Sequence, residues 1–200
     1  ISEHRSLAEV SARVPKGVLH MVLGSGGTVG NALLDHDAVH AVSFTGSNEV
    51  GADIYARGAR RMIRVQAEMG GKNPVVVLAD ADLDLAVEAT AQGAFGSTGQ
   101  RCTATSRVIV EEAIADRFVE RLVARAKKVR VGSGLDASTD MGPAVDRSQL
   151  ETDLKYVEIG KGEKATLACG GRQLTEAAFQ HGHFIEPTVF DRVLPQMTIA

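Results

Sequence analysis

Apolar and polar positions alternate along the first eighty residues in a helix-then-strand rhythm. Ser6–Val14 carries apolar residues at helical spacing, and Pro15 and Gly17 end it before the apolar run Val18–Gly24, which predicts a strand closing on glycine. Thr28–His36 predicts a short helix, Ala41–Gly46 a buried strand, and Asn48–Ala59 a helix with one polar and one apolar face. Met62–Glu68 and Pro74–Ala79 predict two further strands. Their density of β-branched residues suits a parallel sheet covered on both faces.

From Asp82–Phe95 onward the helices lengthen. In Glu112–Val129, Ile114, Phe118, Leu122 and Ala126 recur every fourth residue, a stripe that predicts a core-facing helix. Val131–Val145 reads as a Gly/Ser/Pro loop and Gln149–Glu163 as another helix, and strands are expected within Ala165–Gly171 and His183–Phe190. No internal repeat is visible, and a soft domain boundary falls near Gly70-Gly71.

Composition narrows the partners. The 200 residues are 44% hydrophobic, enough for one large core or two small ones, and the net charge of -3 is scattered rather than blocked. With 6 Phe, 2 Tyr and no Trp, and without a basic patch, nucleic acid is not an expected partner. No apolar stretch approaches the ~20 residues of a membrane-spanning helix. The N-terminus lacks a secretory pattern, so the expected compartment is the cytoplasm. Two cysteines form neither a disulfide framework nor a zinc motif. The chain opens on Ile1 within a helical pattern and stops at Ala200 without a polar tail, which suggests a piece of a longer protein.

Four segments carry candidate chemistry. Gly24, Gly26, Gly27 and Gly30 give G-x-G-x-x-x-G, one residue away from the dinucleotide pattern, and glycines there also serve simply to make a turn. In Ser43–Gly51 a strand runs through Gly46-Ser47 into a helix whose free amides and positive end favour an anion such as a pyrophosphate. Ser47 is equally an ordinary N-cap. Glu68–Pro74, "EMGGKNP", places a carboxylate at a strand end before two glycines, a lysine and a turn-forming Asn-Pro. Glu68 is there either a general base or a solvated carboxylate. Cys102 sits among glycines, hydroxyls and Arg101, the setting of a reactive thiol, whereas Cys169 has the apolar setting of an inert one. None of the six histidines carries a Cys-His signature, and His181 and His183 have no third metal ligand nearby.

Taken in order, "FTGSNEVG", "EMGGKNP" and "GQRCT" resemble the aldehyde dehydrogenase superfamily, and further matches such as "DMGPAV" and "FIEPTVF" extend the resemblance over essentially the whole chain. It implies an α/β fold: a Rossmann-like parallel sheet portion over residues 1–70, the C-terminal part of an NAD(P)-binding domain, followed by the N-terminal part of an α/β catalytic domain over 71–200. It implies Cys102 as the nucleophile that forms a thioester and Glu68 as the base that activates water. The NAD or NADP cofactor would lie against Gly24, Phe44, Thr45, Gly46, Ser47, Gly51, Met69 and Gly70. No metal is implied. Family enzymes are more than twice as long, so an oxyanion-hole Asn and a ribose-binding Lys are expected upstream and an "EEIFGP" Glu and the oligomerisation sheet elsewhere. The expected parent is a homo-oligomer oxidising a small aldehyde, with α-ketoglutaric semialdehyde dehydrogenases as a similar group, and the fragment alone is expected to be inactive. A noncatalytic nucleotide-binding or scaffold domain and a Cys-dependent acyltransferase stay open as other readings.

Overall fold

A computed structural model describes residues 14–200, so the helix expected at Ser6–Val14 lies, but for its last residue, outside the described residues. The chain divides into two compact units, Ile1–Met69 and Gly70–Ala200.

In the first unit a π-helical turn at Gly26–Gly30 runs into helix α1 (Asn31–Asp35). Strand β1 (Ala41–Gly46), helix α2 (Asn48–Arg60) and strand β2 (Arg64–Met69) follow as one βαβ unit. β1 and β2 are parallel, with Ala41 opposite Arg64 and Gly46 opposite Met69, so both strands end at the same edge. α2 lies on one face of the pair, with Gly58 close against Val65 and Ile63. Two expectations change here. β1 is not buried: among the described residues α2 packs on one of its faces, and its residues alternate between half-buried and exposed before ending on two exposed ones. Val18–Gly24 is not a strand: a strand exists only through a hydrogen-bonded neighbour, and no such ladder includes these residues. Leu23 there is 82% exposed.

The second unit opens with strand β3 (Asn73–Val77) and helix α3 (Leu83–Phe95), capped by Asp82, whose carboxylate accepts from the amides of Asp84 and Leu85. Strand β4 (Thr105–Val110), over residues for which the periodicity predicts no element, pairs parallel with β3. The register shifts between Asn73, opposite Thr105, and Pro74, opposite Arg107. Asn73-Pro74 is thus the start of a strand rather than a turn, and Pro74, having no N–H to give a ladder, sits where a bulge relieves it of one.

Helix α4 (Glu112–Ala126) turns Ile114, Phe118, Leu122 and Ala126 inward as its stripe predicts. They meet Val87, Ala91 and Phe95 of α3, Val77 of β3, and Leu150 of helix α5 (Arg147–Gly162) in one core. On the other face of β3 and β4, Val76 is 62% and Ile109 55% exposed. Short antiparallel pairs finish the unit: β5 (Thr166–Cys169) with β8 (Val189–Asp191), and β6 (Gln173–Leu174) with β7 (Phe184–Ile185). Among the described residues no helix is long and apolar enough to cross a membrane.

Phe118, at 1% exposure, is the largest side chain fully enclosed in this core. Phe118→Ala is expected to lower unfolding free energy by ~3–5 kcal/mol, read as a fall in the denaturant midpoint, because a ring-sized void cannot close within a layer of packed helices.

Candidate active site

The first group of candidate residues gathers where β1 and β2 end. Parallel pairing sets Thr45 opposite Glu68 and Gly46 opposite Met69, so Glu68 stands beside the start of the β1–α2 turn. Its carboxylate is exposed and accepts a long hydrogen bond from Gln66 Nε2 at 3.4 Å. Ser47 has extended backbone and caps α2, its Oγ accepting from Val50 N–H at 3.3 Å while its carbonyl accepts from Gly51 N–H at 2.9 Å. The first-turn amides of Asn48 and Glu49 remain for solvent or an anion, because a helix cannot satisfy them internally. The exposed hydroxyls of Thr45 and Ser47 add donors at the same edge. This donor set fits the phosphates of a dinucleotide.

The glycines here also have a reason inside the chain. A Cβ at Gly51 would overlap Met69 Sδ and touch Phe44, and one at Gly46 would overlap the Phe44 ring. Phe44, Gly46, Gly51 and Met69 therefore form one close-packed floor beneath the turn. Gly24 stands elsewhere in the first unit, in the turn before the π-helical segment, where its neighbour is Val29. There Ser25 Oγ accepts from Thr28 N–H at 3.2 Å, so turn-making is what these glycines are seen to do. Gly70 opens the second unit with free space around its Cα.

Cys102 belongs to the second unit and Glu68 to the first. The cysteine lies in the passage from α3 to β4. Gly96 caps α3, and Ser97, Thr98 and Gly99 then take left-handed backbone in succession, with φ of 53, 57 and 66. Left-handed geometry costs a residue with a Cβ ~1–2 kcal/mol, so Ser97 and Thr98 stay there only because their surroundings hold them. Gly99 is a glycine by necessity, since a Cβ would come within 2.8 Å of Ala94 O.

Two side chains hold the passage. Gln100 bridges to the 131–145 loop, its Oε1 accepting from Val145 N–H at 2.8 Å and its Nε2 reaching Pro143 O at 3.4 Å. That loop is closed at its base by Arg130, which donates to Asp140 through Nε and Nη2, both at 3.0 Å, and through its backbone N–H at 2.9 Å. These hydrogen bonds pull the Asp140 carboxyl down to a pKa of about 2. On the far side of the cysteine, Asn73 Nδ2 donates to Cys102 O at 2.8 Å and to Ala104 O at 3.1 Å.

Cys102 itself is exposed on a turn closed by Ala104 N–H donating to Arg101 O at 3.0 Å. Among the described residues its own N–H has no protein acceptor. Cys169 sits otherwise: it is half-buried, its Sγ lies 3.8 Å from Pro187 O, and burial pushes its thiol pKa up. Among the described residues no three His, Cys, Asp or Glu side chains could share a metal ion. The sequence reading did not single out Asn73 or Gln100 for function. An Asn directly before a Pro at the head of an apolar run was the available signal for the first.

The comparisons with known proteins agree with one another. A family profile described as the aldehyde dehydrogenase family matches residues 6–200. The chain is 49% identical over 189 residues to an alpha-ketoglutaric semialdehyde dehydrogenase of Bacillus subtilis, covering 94% of this chain and 39% of that protein. It is 47% identical over 190 residues to human retinaldehyde dehydrogenase 3, covering 94% and 36%. Among solved structures, a betaine aldehyde dehydrogenase of Staphylococcus aureus in complex with NAD+ superposes with a TM-score of 0.91 at 37% identity, covering 96% of this chain and 38% of that one. The parallel-strand, helix-covered architecture is thus a portion of the fold these enzymes share.

Proposed function

The chain belongs to the aldehyde dehydrogenase family, and on that premise we propose that it contributes the nucleophile, the hydrolytic base and part of the cofactor cradle to an enzyme that oxidises an aldehyde to a carboxylic acid with NAD+ or NADP+. The observation that carries this reading is Cys102: an exposed thiol on a turn whose carbonyls are tied down and whose own N–H is left as a donor.

In this reading Cys102, as the thiolate, attacks the aldehyde carbon; a C–S bond forms and the carbonyl π pair moves onto oxygen, to return and re-form the carbonyl as hydride leaves. The Cys102 N–H faces that oxyanion as a fixed donor. NAD(P)+, when bound, supplies the acceptor for the hydride that leaves the same carbon. A thioester on Cys102 results, and Glu68 takes a proton from the water whose oxygen attacks it. The C–S bond then breaks, the sulfur keeps the pair as thiolate, and the acid departs. Thr45, Ser47 and the α2 amides bind phosphate over the floor of Phe44, Gly46, Gly51 and Met69, while Gly24 and Gly70, each from its own turn, are the further backbone positions assigned to the cofactor. Arg101 is exposed and forms no ion pair among the described residues, which supports an aldehyde bearing a carboxylate, as in the semialdehyde enzymes.

The chain spans 39% of the Bacillus subtilis relative, and we propose that these residues by themselves do not turn over. Robust aldehyde oxidation by the isolated chain would refute that part. A second reading, a noncatalytic nucleotide-binding or scaffold domain, has one observation in its favour: Met69 and Phe44 account for Gly51 and Gly46 without a ligand. Calorimetric titration of NAD+ and NADP+ into the full-length protein decides between an enzyme and a scaffold that binds no nucleotide. Saturable micromolar binding of one of them, followed by aldehyde-dependent NAD(P)H formation, is expected; no heat and no NAD(P)H would leave the scaffold.

A further inference from the structure

Asn73 has a place in this site that goes beyond strand geometry. Asn73 stands at the head of β3, where it pairs with Thr105 and the register shifts before Pro74. Both groups within reach of its nitrogen are carbonyls, of Cys102 and of Ala104, and only an NH2 with two hydrogens can satisfy both. Its Oδ1 faces Gly71, where even a Cβ would come to 3.4 Å. Ala104 is 7% exposed, so its carbonyl has little recourse to water once that partner is gone. Within the turn, the Arg101 carbonyl and the Ala104 amide hold one another. The backbone on either side of the cysteine is thereby occupied, and the Cys102 N–H is not.

We infer that Asn73 is the positioning residue of the nucleophile turn: one amide group, donating to the carbonyls of Cys102 and Ala104, fixes where Cys102 presents its sulfur and its N–H. The inference rests on the reading of Cys102 as nucleophile. Asn73 does not touch substrate; it acts through the backbone it holds. Gln100 steadies the turn from the other side through the 131–145 loop, so the cysteine lies between two clamps, of which Asn73 is the one that bonds its carbonyl directly.

The test compares the full-length protein with Asn73→Ala and Asn73→Asp by single-amide hydrogen exchange and steady-state kinetics. In Asn73→Ala, exchange at the Ala104 amide should rise by ~10-fold or more while the Phe118 and Leu122 amides of α4 keep their protection. The same variant should lose ~10²-fold in kcat with KM for the cofactor unchanged, the mark of a misplaced nucleophile rather than a lost binding contact. In Asn73→Asp, the ionised carboxylate opposes two carbonyl oxygens, but its protonated form regains one O–H donor. Protection at Ala104 should therefore return as pH falls through that carboxyl's titration, and Asn73→Ala should show no return. Unchanged Ala104 protection, protection lost equally at Phe118 and Leu122, or an unchanged kcat would each overturn the inference. A Cys102→Ala protein that still oxidised aldehyde would instead remove the underlying reading and leave the exchange results standing.

Discussion

Cys102→Ala is expected to lower aldehyde oxidation by the full-length protein by at least about four orders of magnitude, the scale on which removing a covalent nucleophile acts. The other thiol, Cys169, is half-buried against Pro187 O with its pKa pushed up, so it is less accessible than Cys102 and ionises less readily than an ordinary thiol. Cys169→Ala is accordingly expected to keep oxidation near its original rate. Calorimetry should give the same cofactor affinity for Cys102→Ala as for the unaltered protein, since the phosphate donors proposed above are Thr45, Ser47 and the α2 amides. A loss of binding together with activity would mean that the substitution had unfolded the site rather than removed its chemistry.

The second large effect is expected at Glu68. Glu68→Gln keeps the shape and removes the basicity, so thioester formation should proceed while hydrolysis stalls by ~10²–10⁴-fold. Mixing enzyme, cofactor and aldehyde rapidly should then give one equivalent of NAD(P)H per site in a burst, followed by a slow steady state. A general base acting before hydride transfer would suppress the burst as well. Normal steady-state turnover by Glu68→Gln would show that the assigned base is wrong.

How much of this was legible in the chain depends on the range of the interactions involved. The α4 stripe of Ile114, Phe118, Leu122 and Ala126 was readable because a helix's core face is set by its own spacing, and all four are buried. β1 and α2 were readable for a similar reason, with Ser47 and the glycines marking the break between them. Val18–Gly24 failed because apolar content does not make a strand without a partner to bond. β4 was missed because Thr105–Val110 follows the polar cysteine segment closely, and its inward positions become visible only once β3 lies beside it. Asn73-Pro74 misled in an instructive way: the dipeptide favours turns locally, but pairing with β4 overrode that preference and turned the Asn side chain into a bridge to the cysteine turn. Local motifs made Cys102, Glu68 and Ser47 candidates and only their combination assigned them roles, while the residues that hold the Cys102 turn act across about thirty to forty-five positions, beyond any window-based reading.

The central claim is that Cys102 carries the acyl group, and mass spectrometry of acid-quenched Glu68→Gln protein during turnover tests it most directly. The account predicts that the peptide containing Cys102 gains the mass of the substrate's acyl group, that the Cys169 peptide does not, and that hydroxylamine removes the added mass. An adduct on Cys169, or NAD(P)H formed in a burst with no adduct on Cys102, would contradict it.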